Sequence, residues 1–246
     1  MAKEFEFKTI DEEGMETLEV VAEAENFNLW MYNTILPYCS GEILEIGSGI
    51  GNISDYFLKN NYTITLSDIR DNYCDVLGEK YSTNPYLKAV INIDIIDPDF
   101  DNKHANLFES FDTIYALNIV EHVKDDKLAI ANCKKLLKKG GNLIILVPAY
   151  QKLYNIFDKE LEHYRRYNQN NLDKLFVENE LQIIHRQYFN FIGIFGWWFS
   201  GSILKKKTIP GGQMKLYNSL VSVFKIIDKV ILNKMGLSVI TVGKKV

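Results

Sequence analysis

The chain has 246 residues, 47% hydrophobic and 24% charged, with a formal net charge of −4. That suits one α/β domain with additions and excludes a collagenous, low-complexity or disulfide-framed chain. Cys39, Cys74 and Cys133 lie far apart with no C-x-x-C pair, so neither a disulfide framework nor a metal site is expected, and a reducing, cytoplasmic setting is.

Residues 1 to about 14 read as an arm, and the acidic stretch up to Glu25 lacks the apolar core of a secretory signal. No apolar run reaches the roughly 20 residues that a spanning helix needs. Residues 15–36 read as a helix with a break near 26–28, closed by Pro37 and Gly41. The apolar run 43–46 is a buried parallel strand that ends in Gly47, Gly49 and Gly51, and helical spacing then resumes through Ile53, Phe57 and Leu58. Strand, tight turn and helix open a doubly wound sheet, in which ligands bind beyond the carboxyl ends of the strands. The glycines permit positive φ and close approach to the backbone, and the helix amino terminus behind them favours an anionic group.

Further strands are expected at 62–67, 88–93, 111–118, 142–147, 181–188 and 238–243. Helices fall at 70–80, 125–138 and 171–179, and 97–110 reads as a polar loop. Asp68, 21 residues after Gly47, stands at the end of the second strand, where an acid accepts hydrogen bonds from both ribose hydroxyls of a nucleotide; its alternative is a helix cap.

The glycine pattern separates cofactors. A dinucleotide turn is G-x-G-x-x-G, whereas here the order is Glu45-x-Gly47-x-Gly49-x-Gly51, with Asn52 in place of the third dinucleotide glycine. Glu45 would repel a pyrophosphate and suits a ligand carrying an ammonium and a sulfonium, which argues against a nicotinamide oxidoreductase. The segment resembles motif I of the class I S-adenosylmethionine methyltransferases, and the resemblance covers roughly the middle two-thirds of the chain. It implies a Rossmann-like α/β fold with a seven-stranded, mostly parallel sheet and an antiparallel last strand. It implies S-adenosylmethionine as cofactor, S-adenosylhomocysteine as product, and Glu45, Gly47, Ser48, Gly49, Gly51 and Asn52 as cofactor contacts. By the same resemblance Asp68 holds the ribose, Ile69 flanks the adenine, Asp94 and Ile95 bind it, with Asp97 competing for the role of Asp94, and Asn118 and Ile119 contact the methionine end. A helix ahead of the first strand covers the cofactor in such proteins. The implied segments are an arm and covering helix (1–40), a cofactor-binding core (41–190), a helical cap inserted between strands six and seven (191–236) and the last strand (237–246).

Past strand five, Val147-Pro148-Ala149 leads to Leu153-Tyr154-Asn155-x-x-Asp158 and Glu162-His163-Tyr164-Arg165-Arg166-Tyr167. This resembles a methyltransferase subgroup with the pattern V-P-A…L-Y-G-x-x-D…G-H-x-R-R-Y, whose members often accompany glycan or surface-polymer enzymes. Asn155 and Glu162 replace the subgroup's glycines, which puts the loop geometry in question. Tyr154, Arg165, Arg166 and Tyr167 are the expected acceptor contacts, arginine being suited to phosphate or carboxylate. His163 is the candidate base and His122, beside Glu121, a second. The alternatives are an ion-paired latch of Asp158, His163 and the arginines, and a purely pocket-shaping His122.

From Phe191 to Val246 there are nine lysines and one acid, Asp228. An aromatic stretch (189–199) precedes Lys205-Lys206-Lys207, Pro210-Gly211-Gly212 is a turn, and 214–235 reads as a helix with Leu216, Leu220, Val223, Phe224, Ile227, Val230 and Ile231 in one stripe. This is a lid packed by that stripe, or a basic amphipathic surface for an anionic membrane. The expected activity is methyl transfer to a small-molecule or lipid- or glycan-linked acceptor, by O-methylation. A quinone-precursor methyltransferase and a non-catalytic binding protein of this fold are the alternatives. Nucleic acid is not expected as a partner, the core being acidic and without a basic–aromatic stripe.

Overall fold

The computed structural model describes residues 12–208 and 211–246; the arm expected at the amino terminus and the turn expected at Pro210 lie wholly or partly outside the described residues. Seven strands form one sheet: β1 (Ile43–Ile46), β2 (Ile64–Asp68), β3 (Leu87–Asn92), β4 (Phe111–Leu117), β5 (Leu137–Pro148), β6 (Leu181–Phe189) and β7 (Ser238–Lys245). Their order is β3-β2-β1-β4-β5-β7-β6. The pairings from β3 to β5 are parallel, while β7 runs antiparallel to both β5 and β6. This is the class I methyltransferase sheet, and the order reverses beside β1, so the loops after β1 and β4 face each other across the crevice.

The central strands are apolar on both faces because both faces are covered. Leu44, Ile114, Leu143 and Ile145 join one core, and Ile43, Tyr115, Ile144 and Leu146 the other. The helices in chain order are α1 (Glu12–Ala22), α2 (Glu25–Ile35), α3 (Ser54–Lys59), α4 (Asp71–Lys80), α5 (Phe100–His104), α6 (Asp126–Leu136), α7 (Ile156–Glu160), α8 (Gln169–Glu178), α9 (Gly193–Trp197) and α10 (Gly211–Val230).

Four elements differ from the sequence expectation. The amino-terminal helix breaks at Glu23–Ala24, before Asn26, and the Asn28 side chain donates back across the break to the Val21 carbonyl at 2.8 Å. The expected loop at 97–110 contains α5 and a 3-10 turn, because Phe100 has a place in the core at 2% exposure. α6 stops at Leu136 and β5 begins at Leu137, which pairs with Phe111; the chain then bulges, with Gly140 at φ +82°, before Asn142 pairs with Thr113. α10 starts at Gly211 and ends at Val230, shortly before Leu232 and Asn233 take positive φ.

The cap packs through a face rotated from the one expected, sharing half-buried Phe224 with it. Tyr217, Val221, Phe224 and Asp228 turn inward: Val221 is fully buried and Phe27 meets Tyr217 edge-on at 5.8 Å. Asn218 binds the backbone of α2 through the Phe27 N–H at 3.1 Å, and buried Asp228 accepts the Asn190 and Phe191 N–H groups at 2.7 and 2.9 Å. The neighbouring stripe faces outward, with Leu216 65%, Val223 53% and Val230 75% exposed. Because an inward carboxylate and phenol find specific partners, the packing selects the polar-containing face and leaves the purely apolar one to solvent.

Candidate active site

β1 delivers the chain into a loop whose glycines all have positive φ: Gly47 at +72°, Gly49 at +54° and Gly51 at +87°. Each is also crowded. A Cβ at Gly47 would lie 2.0 Å from Ile119, one at Gly49 3.0 Å from Leu18, and one at Gly51 2.5 Å from the Tyr81 hydroxyl. The loop is sewn to β2: the Ser48 N–H donates to the Ser67 carbonyl at 2.8 Å, and the Gly49 N–H to Asp68 Oδ2 at 3.0 Å. The Asp68 Oδ1 accepts the Arg70 N–H at 3.0 Å. Burial raises the Asp68 pKa, and these N–H groups act against it. The N-cap residue of helix α4, Arg70, makes no side-chain cap bond itself, and Asp68 holds its N–H instead.

Glu45 points beneath the loop, not into open solvent, and is 4% exposed. It accepts a short hydrogen bond from Ser54, the first residue of α3. Burial pushes its pKa up to about 7, against the hydrogen bond from Ser54. Asn52 donates to the Leu18 carbonyl at 2.9 Å and so fastens α1 over the glycines. Neither Leu18 nor Ser54 carries a sequence signature; the fold alone brings them here.

The remaining expected cofactor contacts line the same edge of the sheet. Ile69 follows Asp68, and Asn92 binds its carbonyl at 2.9 Å. Asp94 Oδ1 accepts the Ile96 N–H at 2.9 Å, and the Ile95 side chain is core, its carbonyl held by Asn132. Asp97, the competing acid, is engaged by Lys103 and the Asp99 N–H. Asn118 is exposed at φ +57°, with its N–H on the Leu146 carbonyl at 2.8 Å, and Ile119 crosses to Gly47.

The segment after β5 divides the expected acceptor contacts. Asp158 is fully buried and accepts from the Asn155 N–H at 2.9 Å, His163 Nδ1 at 2.9 Å and Arg166 Nε at 2.7 Å. Burial pushes its carboxyl up, but His163 and Arg166 outweigh that and hold it below its usual range. Arg166, 2% exposed, also binds the Ala149 carbonyl and lies 4.6 Å from the Trp197 ring. The latch weighed from sequence is thus present for Asp158, His163 and Arg166. Arg165 pairs with Asp126 at 2.7 Å and binds the Lys124 carbonyl. Tyr167 is core, its hydroxyl on Asp126 at 2.9 Å. Tyr154, half-buried, binds the His163 carbonyl at 2.8 Å. Glu162 keeps the left-handed φ of +59° that the subgroup's glycine would adopt freely, whereas Asn155 sits at φ −143° as the cap of α7.

His122 and His163 meet edge to face with ring centroids 4.6 Å apart. His163 is buried, and its pKa is lowered by that burial against the pull of Asp158. With Asp158 ionised, Nδ1 carries the proton and Nε2 a lone pair. His122 keeps part of its surface in solvent, while desolvation by the surrounding protein, and after it the neighbouring His163 and Arg70, hold its pKa well below the usual value. Between them lies Glu121, fully buried, its pKa pushed up to about 8 by burial. Glu121 is not among the residues expected from the sequence to act in the site; its place in the Glu-His pair with His122 is the signal that points to it.

Residues 44–143 match the family model described as "Methyltransferase domain". Over 101 residues the chain is 31% identical to the ubiquinone biosynthesis O-methyltransferase of Coxiella burnetii, an alignment covering 41% of each chain. The chain thus spans about two-fifths of the length of the ubiquinone biosynthesis O-methyltransferases it matches. Among solved structures, phosphoethanolamine N-methyltransferase 2 of Haemonchus contortus, in complex with phosphomonomethylethanolamine and S-adenosylhomocysteine, superposes with a TM-score of 0.62 at 17% identity, over 96% of this chain and 60% of that one. A SAM-dependent methyltransferase from Archaeoglobus fulgidus superposes with a TM-score of 0.59 at 15% identity, over 91% and 94%.

Proposed function

We propose that the chain is a class I S-adenosylmethionine methyltransferase that transfers a methyl group from that cofactor to an oxygen of a small or lipid-linked acceptor. One observation carries the reading: three crowded positive-φ glycines, joined to Asp68 on one side and Ile119 on the other, with an acid beneath them. The cofactor supplies the electrophilic methyl and the sulfur leaving group; the protein aligns donor and acceptor and excludes water.

In this reading Asp68 takes the ribose hydroxyls on its remaining lone pairs, Asp94 and the backbone at Ile95 take the adenine, and Glu45 faces the ammonium. Ile69 flanks the adenine, and Asn118 and Ile119 border the methionine end. His122 and His163 lie three and forty-four residues beyond Ile119 in sequence but share one recess after β4, and they receive the acceptor's proton. Tyr154 and Arg165 border that recess, while Arg166 and Tyr167 hold its wall.

The cap supports a lipid-linked acceptor. Phe195, Trp198, Phe199, Ile203 and Leu204 are about half exposed, close to the exposed lysines 205–207. Ser200 binds Gln213 at 2.9 Å and holds this segment against α10, whose outer stripe is apolar. An apolar face rimmed by lysines suits the surface of an anionic membrane. No helix among the described residues is long and apolar enough to cross one. A hydroxylated aromatic head on an apolar tail is the acceptor class that this cap favours, and the ubiquinone-pathway relative bears a name of that kind.

Calorimetry with S-adenosylhomocysteine and with NAD tests the cofactor, and methyl transfer to prenylated phenols against glycans tests the acceptor. Tight NAD binding without a response to S-adenosylhomocysteine would overturn the reading.

A further inference from the structure

Among the described residues, Glu121 is the carboxylate whose two oxygens are both buried without a hydrogen-bond partner. Leaving such a group unpaired costs a desolvation penalty that folded proteins rarely tolerate without a ligand or a catalytic use. Its neighbours are the two imidazoles: one ligand atom from each of Glu121, His122 and His163 lies within 4.8 Å of the other two. The two chain segments are tied together by the Tyr164 N–H on the Glu121 carbonyl at 2.8 Å.

The orientation of His163 is the second observation. Its Nδ1 is bound to Asp158 at 2.9 Å, and Asp158 is kept ionised by Arg166 at 2.7 Å. Metal-binding histidines are characteristically held this way, with a carboxylate on one nitrogen and the lone pair of the other aimed at the ion. His122, exposed, leaves one side of the cluster open.

We propose that Glu121, His122 and His163 bind a divalent transition-metal ion of the zinc type. Two imidazoles and one carboxylate are a borderline donor set that suits zinc, cobalt or iron, whereas magnesium and calcium prefer all-oxygen sites. Closing around ligand bonds of about 2.0–2.2 Å requires side-chain shifts on the order of 1 Å. The ion would satisfy the Glu121 carboxylate, take up the imidazole lone pairs that otherwise receive the acceptor's proton, and keep open positions on the solvent side, where a coordinated acceptor hydroxyl would be acidified and lose that proton to water. That placement of the acceptor rests on the methyl-transfer reading; the three ligands do not. No metal-ligand spacing is visible in the sequence because His163 lies 41 residues beyond His122 and joins it only through the latch.

The test is titration of the chelator-treated full chain with Co2+, followed by visible ligand-field absorption, and displacement of Co2+ by Zn2+ under calorimetry. S-adenosylhomocysteine binding is measured on the same samples. One Co2+ per chain is expected, displaced by Zn2+, with affinity lowered at least tenfold in both His122→Ala and Glu121→Gln. His122 is exposed and the glutamine is isosteric, so thermal unfolding checks that both variants fold. No stoichiometric Co2+ band, or equal affinity in wild type and both variants, overturns the site. A negative metal result with S-adenosylhomocysteine bound leaves the methyl-transfer reading standing, and the reverse pattern leaves only the metal site.

Discussion

Gly47 and Ile119 occupy one shared space: a Cβ on the first would fall 2.0 Å from Cδ1 of the second. The loop after β1 and the loop after β4 therefore approach as closely as they do only because position 47 has no side chain. Gly47→Ala adds this clash to the cost of a non-glycine residue at φ +72°, about 1–2 kcal/mol for the backbone alone. The expected outcome is a lower Tm and lost S-adenosylhomocysteine binding. Adding Ile119→Ala should recover part of the Tm, because it removes the clash and leaves the backbone cost.

Glu45 makes folding and cofactor binding depend on pH. Its folded pKa, about 7, is raised from 4.5, so the folded state holds the proton more tightly than the unfolded one. Stability is therefore intact below about 4.5 and declines as pH rises through 7, with a slope of at most about 1 kcal/mol per pH unit from this group. Glu45→Gln should flatten that part of a Tm–pH profile. If the ionised form faces the ammonium, S-adenosylhomocysteine binding near pH 6.5 releases a proton, visible in calorimetry as a heat that varies with the buffer's ionisation enthalpy.

Asp68 already shapes the loop, its carboxylate accepting the Gly49 and Arg70 N–H groups. Asp68→Ala removes both, at about 1–3 kcal/mol for each donor left unpaired, and should lower the Tm of the ligand-free chain as well as weaken S-adenosylhomocysteine at least tenfold. Unchanged affinity with a lowered Tm would confine Asp68 to shaping the loop.

The two neighbouring arginines should behave oppositely. Arg166→Ala leaves Asp158 charged and buried, a loss of about 3–5 kcal/mol in urea unfolding. Arg165 is partly exposed beside Asp126, and Arg165→Ala should cost about 1 kcal/mol or less. An effect of Arg165→Ala on acceptor KM without loss of stability would mark it as a binding residue.

Flotation with anionic vesicles tests the cap. Binding should fall steeply with salt and weaken when Lys205, Lys206 and Lys207 become Gln, each lysine contributing up to about 1 kcal/mol near the surface. Trp198, 49% exposed, should shift its emission on binding more than Trp197, which packs on Phe157 and Arg166. No flotation at low salt would remove the membrane from the reading.

The sheet and the cofactor loop were legible in the sequence because their causes are local. Three apolar residues and Glu45, all buried, make β1, three alternate glycines are what a loop of repeated positive φ demands, and an acid closes the next strand. Period and φ preference are properties of a residue and its near neighbours, so they survive reading in one dimension. The recess does not. Glu121 and His122 meet His163 only because Asp158 and Arg166 fix the segment after β5 against the turn after β4. Whether Arg166 would reach an acceptor or a buried aspartate depended on which carboxylate lay within 3 Å of it. The face of α10 turned inward was likewise decided by what it met, a backbone turn at Asn190 for Asp228 and a ring at Phe27 for Tyr217. Burial energy ranks the apolar faces of a helix, but pairing of buried polar groups is a property of two places in the chain at once, and only the folded structure brings those places together.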